Sequence, residues 1–264
     1  MTGSLILAAG RGSRMKGYEG NKSLLPLVPH KSPLQGSRPM LMNILDNLPS
    51  GPKAVVVHHR KEDVIQATQS LGLSYVDQPV LNGTGGALLA ARDFVELESH
   101  DQLIITMGDI PLVRRVTYQN LIEALKSSPF VILGFQPRDK KQYGVLEFEG
   151  DKVKKIVEWK YWRSYPADTQ KKLQICNSGI YAALKRHLVK YIPLLENSPH
   201  TVLKEKEKNL VEIKEFFITD LVEMMHRDGL KVGCVLAQDA NEVMGVDDLP
   251  SLIKAQNLFR EAVS

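Results

Sequence analysis

Cysteine is scarce in this sequence: its 264 residues hold two, Cys176 and Cys234, each within an apolar, strand-like run. That scarcity excludes a disulfide-stapled scaffold and points to a reducing compartment, so a cytoplasmic protein is expected. No C-x-x-C pair and no H-x-x-x-H spacing offers a zinc site. No run approaches the roughly 20 apolar residues that cross a bilayer. The apolar start is only about six residues long, follows no basic segment and runs into glycines, which makes it a first core strand and not a signal peptide. An excess of one charge is also missing: a net charge of +4 is too small for a dedicated nucleic-acid binder. The Lys152–Lys155 and Lys204–Lys208 clusters read as solvated faces. There is no internal repeat, low-complexity tract or domain-sized linker. What remains is a soluble protein whose 43% apolar residues can bury the core of one large α/β domain.

Short apolar runs at Leu5–Ala8, Ala54–His58, Leu103–Met107 and Val131–Phe135 read as buried strands, and the stretches between them carry the helical period. Val64, Ile65, Ala67 and Leu71 repeat at that spacing, as do Val116, Leu121, Ile122 and Leu125. Alternation of this kind predicts a mostly parallel central sheet. "VPHKSPLQGSRP" before Met40 reads as an exposed excursion, with Pro39 opening a helix through Leu48. After Phe135 the period changes to two: "YGVLEFEGDKVKKIVEWK" predicts an antiparallel hairpin turning at Gly150. A basic, aromatic loop from Lys160 to Lys172 follows. Then come a strand through "ICNSGIYAA", a helix near His187–Leu195 and an amphipathic helix, "ITDLVEMMHRDG", closed by Gly229. The strand "KVGCVLA" and a final helix from Leu249 to Val263 end the pattern.

The first strand runs into "LILAAGRGSRMKGYEGNKSLLPL", where Gly10 and Gly12 let the backbone turn N–H groups toward an anion and Arg11, Arg14, Lys16 and Lys22 supply positive charge. A loop at the carboxyl end of a parallel strand opens into the crevice where such folds bind ligands. The pattern is not a Walker A loop, because no G-K-[ST] follows, and not a dinucleotide fingerprint, because Arg14 and Met15 stand where the third glycine would be. A polyphosphate is the expected guest. Asp109 ends an apolar strand in "IITMGDIPL", at the same edge as the glycine loop, and suits either a magnesium ligand or a helix N-cap before Val113.

"LAAGRGSRM" with "KSLLPL", "DQPVLNGTGGALLAA", "MGDIPL", "YGVLEFEGDKVKKIVEWK", "CNSGIY" and "FFITDLVEMMHRDG" with "VMGVDDL", in that order, resemble the sugar-1-phosphate nucleotidyltransferase family. The resemblance covers nearly the whole chain and is strongest to the uridyltransferase domain of bacterial N-acetylglucosamine-1-phosphate uridyltransferase. It implies a Rossmann-like nucleotidyltransferase fold, a nucleotide-binding half over about residues 1–136 and a sugar-binding and closing half over 137–264, with the hairpin forming the sugar site. It also implies UTP and a sugar 1-phosphate, most simply N-acetylglucosamine 1-phosphate, as substrates, and Mg2+ as cofactor. Carried over residue by residue, it makes Arg14 and Lys22 the catalytic cations and Asp109 and Asp247 the metal ligands. Leu7, Ala8, Ala9, Gly10, Gly12, Gln78, Gly83 and Thr84 would hold the nucleotide, and Gly144, Glu158 and Asn177 the sugar. Two positions depart from the family. Asp247 stands where the nearest relatives place asparagine and other sugar nucleotidyltransferases place aspartate, with Asp248 beside it able to cap the last helix or exchange roles. Trp159 replaces a histidine.

The acceptor phosphate already carries about −1.5 to −2 charges at neutral pH, so no general base is needed. Fixed cations must instead overcome repulsion between two polyanions. Alternatives within the class are dTTP or another sugar 1-phosphate; outside it, a catalytically silent sugar-nucleotide-binding regulator, against which the retained Arg14, Lys22, Asp109 and Asp247 argue. Bifunctional family members continue into a left-handed β-helix that carries acetyltransferase activity. No such repeat follows here, and if these residues are the whole protein, that activity is expected to be absent.

Overall fold

Thr2–Leu7 forms the first strand, β1, buried along its whole length. Successive strand side chains point to opposite faces, so Leu5 and Leu7 enter one core while Ile6 and the following Ala8 enter another. A strand apolar on both faces needs cover on both, a need that parallel sheets meet with crossover helices. The structure, a computed structural model, describes residues 1–206 and 209–263.

After β1 the chain passes a 3-10 turn at Lys22–Leu24 and a hairpin of β2 (Pro26–Ser32) and β3 (Gln35–Pro39) before α1 (Met40–Asn47). Alternation follows: β4 (Lys53–Val57), α2 (Lys61–Thr68), β5 (Ser74–Asp77), α3 (Gly83–Ala90), α4 (Arg92–Leu97), β6 (Gln102–Met107), α5 (Arg115–Ala124) and β7 (Phe130–Phe135). The second half adds the hairpin β8 (Val145–Glu149) and β9 (Lys152–Val157), the short α6 (Trp159–Trp162) and α7 (Ala167–Lys172), β10 (Cys176–Leu184) and α8 (Lys185–Glu196). A hairpin of β11 (His200–Lys206) and β12 (Asn209–Glu215), then α9 (Asp220–Arg227), β13 (Val232–Leu236) and α10 (Leu249–Val263) complete it.

The central sheet runs β13-β7-β10-β6-β1-β4-β5, with β8 and β9 attached through β10. β1 pairs in parallel with β4 and β6, β4 with β5, and β7 with β13. β10 runs antiparallel between β6 and β7. The sheet is thus mostly parallel, with an inserted antiparallel region, as the sequence predicts. One face is covered by α3, α4, α8 and α9 through residues such as Leu88, Val95, Ile192 and Met225. The other is covered by α1, α2 and α5 through Ile44, Val64 and Tyr118. A third, smaller core joins Met15 of the glycine loop, Leu25 and Leu27, Met40, and Val246, Leu252 and Ala255 at the far end of the chain.

Two loop expectations need correction. The stretch 28–39 is an exposed hairpin, not a loop, because Val28 and Pro29 pair with Ser37 and Gly36 while mostly polar side chains face water. Residues 160–172 hold α6 and α7, the latter starting directly after Pro166. Side chains of the Lys204–Lys208 cluster lie outside the described residues. No helix among the described residues is long and apolar enough to cross a membrane.

Candidate active site

The parallel strands β1, β4, β5 and β6 end together, since Leu7 is in register with Val56 and Met107, and Val57 with Asp77. The glycine loop leaves that edge. Gly12 has φ of +62° and a Cβ there would stand 3.1 Å from the Lys22 side chain, so a larger residue would be strained and would push the lysine. Asn21, 1% exposed, locks the return of the loop: its amide donates to the carbonyls of Ala8 and His59 at 3.2 and 2.8 Å, and its Oδ1 accepts from the Ser23 N–H at 2.9 Å.

Lys22 is thereby aimed inward. Its Nζ donates to Asp109 Oδ2 at 2.5 Å and to Asp247 Oδ1 at 3.1 Å. Burial alone would lower the Lys22 amine, but the charges and hydrogen bonds of Asp109 and Asp247 outweigh it and hold it above its ordinary value. Arg14 approaches from the solvent side, with Nη2 2.8 Å from Asp247 Oδ1. Arg11 is exposed on the same loop. Asp109 does not cap a helix: α5 starts six residues later. Its own backbone carbonyl accepts from Val246 N–H at 2.8 Å, which joins the two carboxylate-bearing segments. Glu242, 4% exposed, reinforces that joint by accepting from Arg114 N–H and Nη2 at 2.8 and 3.0 Å and from the Thr117 hydroxyl. Asp248 caps α10, accepting from Ser251 N–H at 2.9 Å, while Ser251 Oγ accepts from the N–H groups of Asp247 and Asp248. Of the two adjacent aspartates, Asp247 is therefore the one turned to Lys22.

A cavity of about 300 Å3 opens beside this cluster, and its lining includes Asp109 and Asp247 together with Glu158, Asn177 and Thr84. Its floor includes Met107 of β6 and Ser178 and Gly179 of β10, so strands from both halves of the chain build it. Gly144 does not line the cavity; its carbonyl accepts from the N–H of the lining residue Asn177 at 2.8 Å. The Asn177 amide donates to the Tyr181 hydroxyl at 2.9 Å. Burial pushes the Glu158 carboxyl above its ordinary value; Lys160 works against that and the Asp220 charge adds to it. Tyr143, Phe217 and Thr219 also line the cavity; they fall within segments that resemble the family, yet the resemblance gives none of them a role.

The 78–85 segment lies at the end of β5. Gln78 is buried, and its amide nitrogen donates to Asn82 Oδ1 and the Gly83 carbonyl at 3.1 and 3.2 Å. Gly83 has φ of +93°, and a Cβ there would meet the Phe216 carbonyl at 2.3 Å. Thr84 Oγ1 accepts from Ile218 N–H at 3.3 Å, which ties this segment to the cavity wall. Trp159 faces Arg163, whose guanidinium stands 4.6 Å from the ring centroid. Cys176 and Cys234 are packed thiols, each pushed up to about 11 by burial.

The arrangement can hold a divalent ion. Two carboxylates from separate segments already converge on one cationic group, and Mg2+ asks for few protein oxygens when phosphates complete its shell. Among the described residues no cluster of three or more histidine, cysteine or acidic side chains could hold a metal ion.

Residues 4–192 match the family model of the MobA-like NTP transferase domain. The bifunctional protein GlmU of Campylobacter lari is 30% identical over 98% of this chain and 54% of its own length. GlmU of Sulfurimonas denitrificans is 31% identical over the same shares. The chain spans about half the length of the curated relatives it matches. A solved Bacillus anthracis structure assigned as a glucose-1-phosphate thymidylyltransferase has a TM-score of 0.71 at 21% identity, covering 99% of this chain and 96% of that one. A nucleotidyl transferase from Methanothermobacter thermautotroptrophicus gives 0.62 at 20%, with 99% of each chain covered. Both likenesses concern the fold.

Proposed function

The chain belongs to the MobA-like NTP transferase family, and from that membership we propose that it joins UTP to a sugar 1-phosphate, N-acetylglucosamine 1-phosphate, releasing pyrophosphate. One observation supports this reading: a single cavity is lined both by Asp109 and Asp247, which Lys22 bridges, and by Glu158 and Asn177. The GlmU relatives support the choice of a uridylyl donor.

In the proposed reaction an oxygen of the acceptor phosphate forms a bond to the α-phosphorus, and the bond from that phosphorus to the bridging oxygen of the β-phosphate breaks. The electron pair leaves with pyrophosphate. The obstacle is charge repulsion, so the helpful groups are positive and fixed before the reactants meet. Lys22, held rigid through Asn21, would act on the α-phosphate, and the more exposed Arg14 on the β- and γ-phosphates. Mg2+ between Asp109 and Asp247, when bound, would draw charge off the triphosphate. Backbone from Leu7 to Gly12, with Gln78, Gly83 and Thr84, would hold the nucleoside and its phosphates. Gly144, Glu158 and Asn177 would hold the sugar.

A second reading replaces UTP by dTTP and the acceptor by another hexose 1-phosphate; the aspartate at position 247 and the thymidylyltransferase-like neighbour favour it. A pyrophosphate-release screen tests both, with four nucleotides against a panel of sugar 1-phosphates, with and without magnesium. Release with UTP and N-acetylglucosamine 1-phosphate is expected to lead. A lead for dTTP would move the assignment to the second reading, and no release from any pair would refute both.

A further inference from the structure

Glu242 is a buried charge to which the proposed reaction gives no part. Burying a carboxylate is costly unless its oxygens are paired. Here they are: Oε1 accepts from Arg114 N–H at 2.8 Å and from the Thr117 hydroxyl, and Oε2 accepts from Arg114 Nη2 at 3.0 Å. Arg114 is the N-cap of α5 and has no side-chain cap of its own. In a local capping box a glutamate at the third helical position accepts from the N-cap N–H; Glu242 does so from 128 residues away. A cap of that kind needs no distant residue. What the distant carboxylate adds is a tie between two segments.

Those segments carry the candidate metal ligands. Arg114 follows Asp109 by five residues, and Asp247 follows Glu242 by five. The carboxylates of Asp109 and Asp247 repel each other as they converge on Lys22. In the proposed reaction Lys22 turns to the α-phosphate, and other contacts must then keep the pair together. Val243 and Val246 are fully buried, yet apolar burial is non-directional and lets a segment slide. Direction comes from Val246 N–H on the Asp109 carbonyl at 2.8 Å and from the stronger, charge-assisted bond of Arg114 to Glu242. Arg114 Nη2 also donates to Gln238 Oε1 at 3.2 Å, four residues before Glu242, which makes the tie double.

We propose that Glu242 is a positioning residue of the metal site. By fastening the 242–247 segment to the loop between β6 and α5, it sets the spacing of Asp109 and Asp247 and with it the affinity for a divalent ion. It touches neither the ion nor the substrates. This rests on the reading of Asp109 and Asp247 as metal ligands.

The test is Mn2+ binding to the full chain without nucleotide, followed by the electron paramagnetic resonance of the free ion. Mn2+ stands in for Mg2+ because both favour oxygen ligands in an octahedral shell. Every variant is built on Lys22→Ala, in which no ammonium competes for the two carboxylates. Glu242→Gln, which keeps the size but puts an amide where acceptors are needed, is expected to weaken Mn2+ binding about tenfold. Thr117→Val removes one bond and no charge, so its expected weakening of about threefold cannot come from a changed field; it also carries the test if Glu242→Gln does not fold. Tyr118→Phe is the control: it takes the bond with Thr106 out of the same helix, and it should lower the melting temperature while leaving Mn2+ affinity unaltered. Unchanged affinity in Glu242→Gln overturns the proposal, and so does a Tyr118→Phe protein that loses as much affinity as Glu242→Gln. Asp109→Ala separates the two readings. If it removes Mn2+ binding while Glu242→Gln and Thr117→Val do not weaken it, only the positioning role falls. If it leaves binding intact, or if Lys22→Ala itself binds no Mn2+, the ligand assignment falls and the positioning role with it.

Discussion

Lys22 Nζ lies 2.5 Å from Asp109 Oδ2 and 3.1 Å from Asp247 Oδ1, partners 87 and 225 residues away along the chain. One ammonium thus stands where two carboxylates would otherwise repel each other. The position suited to a divalent ion is already satisfied by a side chain, and a metal entering it competes with that side chain. Lys22→Ala should therefore strengthen Mg2+ binding in the absence of nucleotide by about tenfold, a modest share of what one removed contact charge is worth near a surface. Turnover should fall by about 10²–10³, as for loss of one fixed donor to a developing charge. Magnesium titration by calorimetry and initial rates check the two halves; unchanged values in both would take Lys22 out of the site.

Asp109→Ala deletes a partly exposed carboxylate at the edge of the sheet and no core packing, so its melting temperature should stay close to that of the unaltered chain. Its turnover should drop steeply and should not recover as magnesium is raised. Rates measured across a magnesium titration decide the matter: recovery to the unaltered rate at any concentration means that Asp109 is not a ligand.

Glu158 carries a pH signature. Burial raises its carboxyl above the ordinary 4.5, so the folded chain keeps this proton at pH values where the unfolded chain has lost it. Stability from this group therefore declines as pH climbs from the unfolded value through the raised folded one. Glu158→Gln removes the decline: its melting temperature should exceed that of the unaltered chain at about pH 7 and match it at about pH 4. Sugar 1-phosphate affinity should fall about tenfold with the lost charged acceptor. A thermal melt series over pH, paired with binding, measures both.

The cap of α10 links stability to the site. Ser251 contacts hold the Asp248 carboxyl below the ordinary 3.8, so the cap contributes fully above that value and is lost as pH falls through the depressed one. Asp248→Ala should cost about 1 kcal/mol at neutral pH. Ser251→Ala should also free the N–H of Asp247 and raise the magnesium concentration needed for half-maximal rate. Denaturant melts and a magnesium titration report on each, and a Ser251→Ala protein with an unshifted magnesium dependence would separate the cap from the site.

Much of this architecture is legible in the chain itself, and the remainder has identifiable reasons for being hidden. Val55, Ile104 and Ile132 sit in runs apolar on both faces, and such runs have few alternatives to a buried strand. The direction of β10 is not written in "ICNSGIYAA", because that run would fit either orientation and its place between β6 and β7 is set by long-range pairing. The 28–39 hairpin escaped because its alternation of side chains is largely polar, with prolines where a strand is seldom expected. The glycine loop and Asp109 announce themselves by residue type at a strand end, whereas Asp247 stands out only through the family resemblance. Asn21 and Glu242 do not: each is a buried polar group whose role lies in which distant backbone groups it satisfies. Phe217 and Thr219 become site residues only because α9 and the segment before it pack beside Glu158.

Met15 rests in a small core with Val246, Leu252 and Ala255, and Gln256 of the same last helix donates to the carbonyls of Pro26 and Pro33. During synthesis, the loop that leaves the first strand therefore emerges with only part of its support, from Leu25, Leu27 and Met40. Val246, Leu252 and Ala255 follow far later, and its partner Asp247 comes 225 residues after Lys22. A ribosome-bound chain stalled before Leu252 could have paired β1 with β4 and β6, yet its glycine loop would still lack part of its core. The strands around β1 and the full support of the loop thus depend on segments made far apart in the chain.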